Sequence, residues 1–145
     1  MAKQVSITKV VHVPAARIFD ALTDPSQHPL IDGSGSVRAA HGSPATRLRL
    51  GDTFGMDMHL GMPYRITNRV VEYEEGTLIA WRHFAGHRWR WQLTPVDEQT
   101  TEVTETFDYS TAPAPFMLEL LGFPERNRKG IQATLDHLET ALAER

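Results

Sequence analysis

Apolar and polar side chains alternate with a period of two between Thr77 and Tyr109. Large apolar residues alternate with arginine and glutamine over residues 89–93, and with threonine and aspartate over residues 103–109, where Glu105 takes one apolar position. This period predicts antiparallel strands with one buried and one solvated face. Because large rings and a carboxylate occupy the buried face, we expect it to line a cavity.

Shorter patterns predict the remaining elements. In chain order these are a strand over 4–13, a helix over 15–22, a short helix capped by Asp24 and ended by Pro29, strands over 37–40, 48–60 and 64–74, a short apolar segment over 116–121 and a terminal helix from Glu125. The terminal helix has an apolar stripe of Ile131, Leu135, Leu138 and Leu142. Spacings of four, three and four place this stripe on one face, which we expect to pack on the sheet.

Loop lengths decide which residues face each other across the predicted hairpins. A three-residue loop over 85–87 puts Trp81 and His83 on the buried face, whereas a two-residue loop would bury Arg82. The cost of burying a charge favours the three-residue loop. A second three-residue loop, over 97–99, sets Leu93 opposite Val103.

In this register Trp91 lies opposite Glu105, and one row across the buried face contains Trp81, Trp91 and Glu105. Five arginines fall on the other face: Arg65, Arg69, Arg82, Arg88 and Arg90. Arg82 is expected opposite Arg90, and Arg88 opposite Asp108. Like charges facing each other are unfavourable, so this face is either a solvated surface with salt bridges or a surface for a partner protein.

Composition narrows the classes of function. The 145 residues fit one domain, 1–145, and the net charge of −3 argues against general nucleic-acid binding. The chain has no cysteine, which excludes disulfides and thiolate chemistry. His83 and His87 are separated by a hairpin turn rather than a helical turn, so we expect no metal site and no cofactor. No apolar run approaches the length of a membrane span and the first residues lack a signal-peptide core, so a cytoplasmic location is expected.

The element order of one strand, two helices, about six strands and a long helix predicts a curved antiparallel sheet with the helix across its concave side. Local patterns accompany this order: Val13-Pro14-Ala15, Thr23-Asp24-Pro25, Leu78-Ile79-Ala80-Trp81, Trp91-Gln92-Leu93-Thr94-Pro95 and the segment from Thr101 to Thr106. With them the chain resembles the SRPBCC superfamily, also called START-like or birch-pollen-allergen-like, and most of all its bacterial polyketide cyclase/dehydrase-like branch.

The resemblance implies an α+β helix-grip fold with about seven strands. It also implies binding of a hydrophobic small molecule such as a lipid, polyketide or sterol, because most members of the superfamily bind such molecules. Some members are cyclases, and one branch resembles activators of a heat-shock chaperone ATPase. No catalytic signature spans the superfamily, so none is transferred to this chain, and whether it is an enzyme stays open.

Candidate site residues follow from the buried face and the two helices that would cover it. The candidate cavity wall consists of Phe54, Met56, Met58, Asn68, Trp81, His83, Trp89, Trp91, Glu105, Phe107, Tyr109, Met117 and Leu135. Burial would raise the pKa of Glu105, which would suit it to acid–base catalysis with His83 or Tyr109. Alternatively, Glu105 is hydrated at the cavity mouth or paired with an indole N–H or an arginine.

Three hypotheses remain open. The first is a module that binds a hydrophobic small molecule, as a monomer or homodimer and without inserting into a membrane. The second is a cyclase/dehydrase-type enzyme that uses Glu105 as acid or base, and the third is a protein-interaction module that acts through the arginine face.

Overall fold

The computed structural model describes residues 3–34, 37–41, 47–59, 61–83 and 85–142. Its strands are β1 (Gln4–Val11), β2 (Val37–His41), β3 (Thr53–His59), β4 (Pro63–Glu74), β5 (Leu78–His83), β6 (Arg88–Asp97) and β7 (Thr100–Asp108). Its helices are α1 (Ala15–Leu22), a 3₁₀ helix (Pro25–Gln27), α2 (His28–Ile31), α3 (Pro115–Leu120) and α4 (Phe123–Leu142).

The seven described strands form one antiparallel sheet in the order β1-β7-β6-β5-β4-β3-β2. The sheet is curved and α4 packs on it along β1 and β7, which confirms the predicted α+β helix-grip fold. The α4 stripe of Ile131, Leu135, Leu138 and Leu142 is buried against the sheet, as its spacing predicts. Among the described residues, no helix has the length and apolar character needed to cross a membrane.

The segment after β1 follows the predicted capping but ends differently. The Asp24 side chain accepts a hydrogen bond from the Ser26 backbone N–H and caps the 3₁₀ helix. The prediction that Pro29 ends this helix is wrong. The 3₁₀ helix ends at Gln27, and Pro29 lies in the first turn of α2, where a proline loses no helical hydrogen bond.

The predicted strand over 48–60 is shorter in the structure, because the chain turns before β3 begins at Thr53. Gly51 adopts a φ of 89° in this turn, and its N–H donates to the carbonyl of Val70. Leu60 lies outside the described residues. The short strand predicted over 37–40 is present as β2.

The β5–β6 hairpin has the predicted faces but a different register. The His83 N–H donates to the His87 carbonyl at 2.8 Å, so His87 pairs with His83 and is not part of the loop, as the predicted loop over 85–87 would require. Arg82 therefore lies opposite Arg88, and the prediction that it faces Arg90 is wrong. The shift amounts to two residues across the pair, so no side chain changes face.

The β6–β7 register confirms the expected pairs of Leu93 with Val103, Trp91 with Glu105 and Arg88 with Asp108. The prediction that Trp81, Trp91 and Glu105 form one row is wrong, because Trp81 pairs with Trp89 and not with Trp91. One row contains Trp81, Trp89 and Phe107, and the next contains Ile79, Trp91 and Glu105.

The outer arginines are partly neutralised by one carboxylate of β4. Arg90 donates to both Glu72 oxygens, at 2.9 and 2.7 Å, and Arg88 donates to Glu72 Oε2 at 3.1 Å. These bonds, with that of Arg90 foremost, lower the pKa of Glu72. The repulsion between the facing Arg82 and Arg88 is thus reduced by an ion-pair network on the same face of the sheet.

Candidate functional site

A cavity of about 1350 Å³ lies between the inner face of the sheet, α3 and the first half of α4. Side chains of strands β3 to β7 form its floor, and the α2–β2 loop closes one side. The wall includes these residues of the predicted set: Phe54, Met56, Met58, Asn68, Trp81, His83, Trp89, Trp91, Glu105, Phe107 and Met117. The alternating face therefore lines a cavity, as its large rings predict.

Tyr109 and Leu135 do not line the cavity. The Tyr109 hydroxyl donates to Glu119 Oε2 at 2.8 Å, and its ring packs on Phe107 with centroids 5.5 Å apart. Leu135, on the inner face of α4, is fully buried in the core. Both residues are buried, as predicted, but they lie in the packed region beside α3 and α4 and do not face the cavity.

A cluster of His28, Phe54 and Trp81 forms one corner of the cavity. The His28 ring stacks on Trp81 with centroids 4.9 Å apart, and it meets Phe54 edge-on at 5.3 Å. Its Nε2 lies 2.8 Å from the Leu22 carbonyl, which fixes Nε2 as the donor. Burial lowers the pKa of His28, so the ring is neutral here.

Sequence reasoning missed His28, since a four-residue helix is too short to show periodicity. His87 was missed as a cavity residue because we had placed it in the hairpin loop. A signal for it existed, because it lies two residues before Trp89 and therefore on the same face.

His83 and His87 form a stacked pair in the cavity wall, with ring centroids 4.4 Å apart and planes 16° apart. Burial lowers the pKa of each to about 4, so both rings are neutral at pH 7. The Ala85 N–H donates to His83 Nδ1 at 3.0 Å, while His87 Nδ1 is buried without a hydrogen-bond partner. Within the described ranges, no three His, Asp or Glu side chains are grouped to hold a metal ion.

Glu105 lies deep in the cavity, on β7. Its side chain is 7% exposed, and Oε1 has no hydrogen-bond partner. Burial, and secondarily the nearby negative charge of Asp32, raise the pKa of Glu105 well above its ordinary value of 4.5. Burial thus disfavours the charged form of a carboxyl group that faces a mostly apolar space.

Residues 32–34, at the start of the α2–β2 loop, line the cavity and pack on α4. The Gly33 N–H donates to Thr134 Oγ1 at 2.9 Å. A Cβ on Gly33 would overlap the α4 backbone at Ala133, so only glycine permits this approach. Asp32, beside it, accepts hydrogen bonds from Ser34 Oγ and the Val37 N–H.

The opposite end of the cavity is rimmed by exposed apolar side chains. Met62, in the β3–β4 turn, is 68% exposed, and Met117 of α3 is 43% exposed. Arg126 and Lys129 of α4 also reach this rim and are exposed. This end of the cavity therefore presents to solvent an apolar rim with positive charge beside it.

Comparisons with known proteins agree with this geometry. Residues 2–143 match the family described as polyketide cyclase/dehydrase and lipid transport. The chain is 42% identical over 145 residues to the uncharacterized protein Rv0088 of Mycobacterium tuberculosis, in an alignment that covers 97% of this chain and 64% of Rv0088. The chain thus spans less than two thirds of that relative.

Solved structures share the fold at low identity. The protein Ms6760 of Mycobacterium smegmatis superposes with a TM-score of 0.70 at 20% identity, covering 97% of this chain and 92% of that one. A protein from Arthrobacter aurescens gives 0.76 at 14% identity, with 99% and 88% covered. The AHSA1-like protein of Aeromonas hydrophila gives 0.68 at 18%, with 96% and 92% covered. These likenesses support the fold alone.

Proposed function

Since the chain belongs to the polyketide cyclase/dehydrase and lipid transport family, we propose that it binds an apolar small molecule of the lipid, polyketide or sterol-like class in this cavity. The observation that carries the proposal is the cavity itself, about 1350 Å³ in volume and walled by aromatic rings and thioethers. Protein interiors are otherwise close-packed, with few voids larger than a water molecule. Pockets for small molecules occupy about 300–1,000 Å³, so this space is sufficient for such a ligand.

The wall chemistry supports the same class of ligand. Trp81, Trp89 and Phe107 present large apolar surfaces, and methionines such as Met56 adapt their shape to an occupant. Burial keeps the stacked histidines neutral at pH 7 and disfavours the charged form of Glu105 by raising its pKa. An apolar ligand that contacts these groups therefore desolvates little charge.

Filling the cavity tests the proposal directly. Ile66 points into the cavity from β4, whereas the next residue, Thr67, is exposed on the outer face. Ile66→Trp is expected to weaken binding of the neutral fluorescent probe N-phenyl-1-naphthylamine by at least tenfold. Thr67→Trp adds the same side chain outside the cavity and is expected to bind the probe like the wild type. Equal binding by both variants, with both folded by circular dichroism, would contradict the proposal.

Glu105 supports a second candidate, an acid–base enzyme of the cyclase/dehydrase kind. A buried carboxyl group whose pKa is raised is suited to donate its proton to a bound carbonyl. The predicted catalytic partners do not reach it: Tyr109 is bonded to Glu119, and His83 lies two rows away along the sheet. Glu105 would therefore act alone. If the protein is an enzyme, Glu105→Gln should abolish turnover while the variant still binds ligand. If it is a carrier, the variant should keep its affinity and the wild type should show no turnover.

The arginine face supports the interaction hypothesis less well. Arg88 and Arg90 are engaged by Glu72, whereas Arg82 and Arg69, which face each other across β4 and β5, are both exposed. If the protein acts through a partner, Arg82→Glu is expected to abolish partner capture without changing probe binding in the cavity.

A further inference from the structure

Three polar atoms inside the cavity have no partner in the protein. They are Asn68 Oδ1, His87 Nδ1 and Glu105 Oε1. Buried polar atoms in folded proteins are nearly always hydrogen-bonded. An occupant that supplies partners for these atoms is therefore favoured over a plain hydrocarbon of the same size.

These atoms lie at two levels of the cavity. Asn68 faces His83 across the β4–β5 pair, and His83 meets His87 through a backbone hydrogen bond, so Asn68 and His87 share one level. Glu105 lies opposite Trp91, four residues along β6 from His87. At the rise of an extended strand, this separates the two levels by about 13 Å.

The zone between the two levels is apolar. Trp81, Trp89 and Phe107 form the intervening row, and the rings of Trp89 and Phe107 lie 5.0 Å apart between centroids. The cavity floor is therefore polar near the mouth, apolar in the middle and polar at depth.

Charge distinguishes the two ends. The cations that line the cavity among the described residues, Arg126 and Lys129, are exposed at the rim on α4. The deep end holds Glu105 with the carboxylate of Asp32 nearby. An anionic group placed at the deep end would meet acidic groups and no compensating cation, whereas a hydroxyl or carbonyl would find a hydrogen-bonding partner.

We propose that the natural occupant is an uncharged molecule with an apolar body and an oxygen-bearing hydrogen-bonding group at each end, about 13 Å apart. One end bonds Glu105 on β7, and the other bonds His87 at the start of the neighbouring strand β6. The proposal rests on the cavity binding function proposed above and narrows the ligand class. It excludes fatty-acid anions inserted with the carboxylate towards Glu105.

The proposal is tested by measuring how well ten-carbon compounds with different end groups displace N-phenyl-1-naphthylamine from the protein at pH 7. The terminal diol is expected to bind about two- to tenfold more tightly than the alcohol, because it adds one hydrogen bond. Decanoate is expected to bind more weakly than both. The six-carbon diol, too short to reach both levels, is expected to show no advantage over its alcohol.

Variants locate the effect. Glu105→Leu is expected to remove the advantage of the ten-carbon diol, and Glu105→Gln, which retains hydrogen-bonding capacity, is expected to keep it. Equal affinity of diol and alcohol, or tightest binding of decanoate, would overturn the ligand class while leaving cavity binding intact. Failure of the wild type to bind the fluorescent probe would overturn the proposed function and this inference together.

Discussion

Replacing Glu105 by glutamine changes the pH dependence of folding stability in a direction that the structure determines. In the folded protein, burial and the charge of Asp32 raise the pKa of Glu105 well above 4.5. In the unfolded chain the carboxyl group is hydrated and ionises near its ordinary value. The folded state therefore holds a proton that the unfolded state has lost, over the whole interval between the two pKa values.

The sign and slope follow from this difference in bound protons. Where the folded state binds one more proton, the free energy of unfolding falls by about 1.4 kcal/mol for each unit of rising pH. The contribution is fully present below the ordinary pKa and is lost as the pH rises through the raised one. Glutamine has a similar shape and no titration, so Glu105→Gln should gain stability relative to the wild type as the pH rises.

Urea unfolding followed by circular dichroism, from about pH 5 to about pH 8, measures this difference. Glu102→Gln is the matched control, because Glu102 is on the exposed face of the same strand. We expect the stability of Glu105→Gln minus that of the wild type to rise with pH, by up to about 1.4 kcal/mol per pH unit, until the pH reaches the raised pKa of Glu105. The rise should exceed that of the control variant. A constant difference for Glu105→Gln across the range would refute the placement of a protonated carboxyl group in the cavity.

Three further predictions concern the same scaffold. Burial lowers the pKa of His83 and His87 to about 4, so stability should fall as the pH drops from 6.5 towards 4, and the double variant to glutamine should lose less thermal stability over that window. Leu138→Ala removes a fully buried side chain of α4 and should cost about 2–5 kcal/mol in urea unfolding, whereas the exposed neighbour Thr140→Ala should change little. Gly33→Ala forces the α2–β2 loop away from α4 and should cost about 1–3 kcal/mol by the same assay. A loss for Gly33→Ala no larger than that of Thr140→Ala would contradict the close packing of the loop.

The faces of the strands were predictable, but some of the pairs across them were not. Once the hairpin loops are taken as three residues long, a period of two assigns Trp81, Trp89 and Glu105 to the same side, since any register shift by an even number preserves faces. The partner of Trp81 depends on where the β5–β6 hairpin closes. That point is set by the hydrogen bond between the His83 N–H and the His87 carbonyl, which the pattern of the side chains does not specify.

Which side chains line the cavity could also be established only from the folded chain. Tyr109 and Leu135 have the alternation and stripe of wall residues, yet Glu119 engages the first and the core encloses the second. His28 reaches the wall from a four-residue helix, through stacking on Trp81. Such contacts join segments far apart in the chain, so they leave no local pattern.

The element order, the buried face of each strand and the helix stripe could be predicted from the amino-acid sequence, because they depend on local periodicity and on the burial of apolar surface. The open space between the sheet and α4, the deep position of Glu105 and the approach of Asp32 to it became evident only in the folded chain. Desolvation depends on everything packed around a group, and those neighbours come from the whole chain.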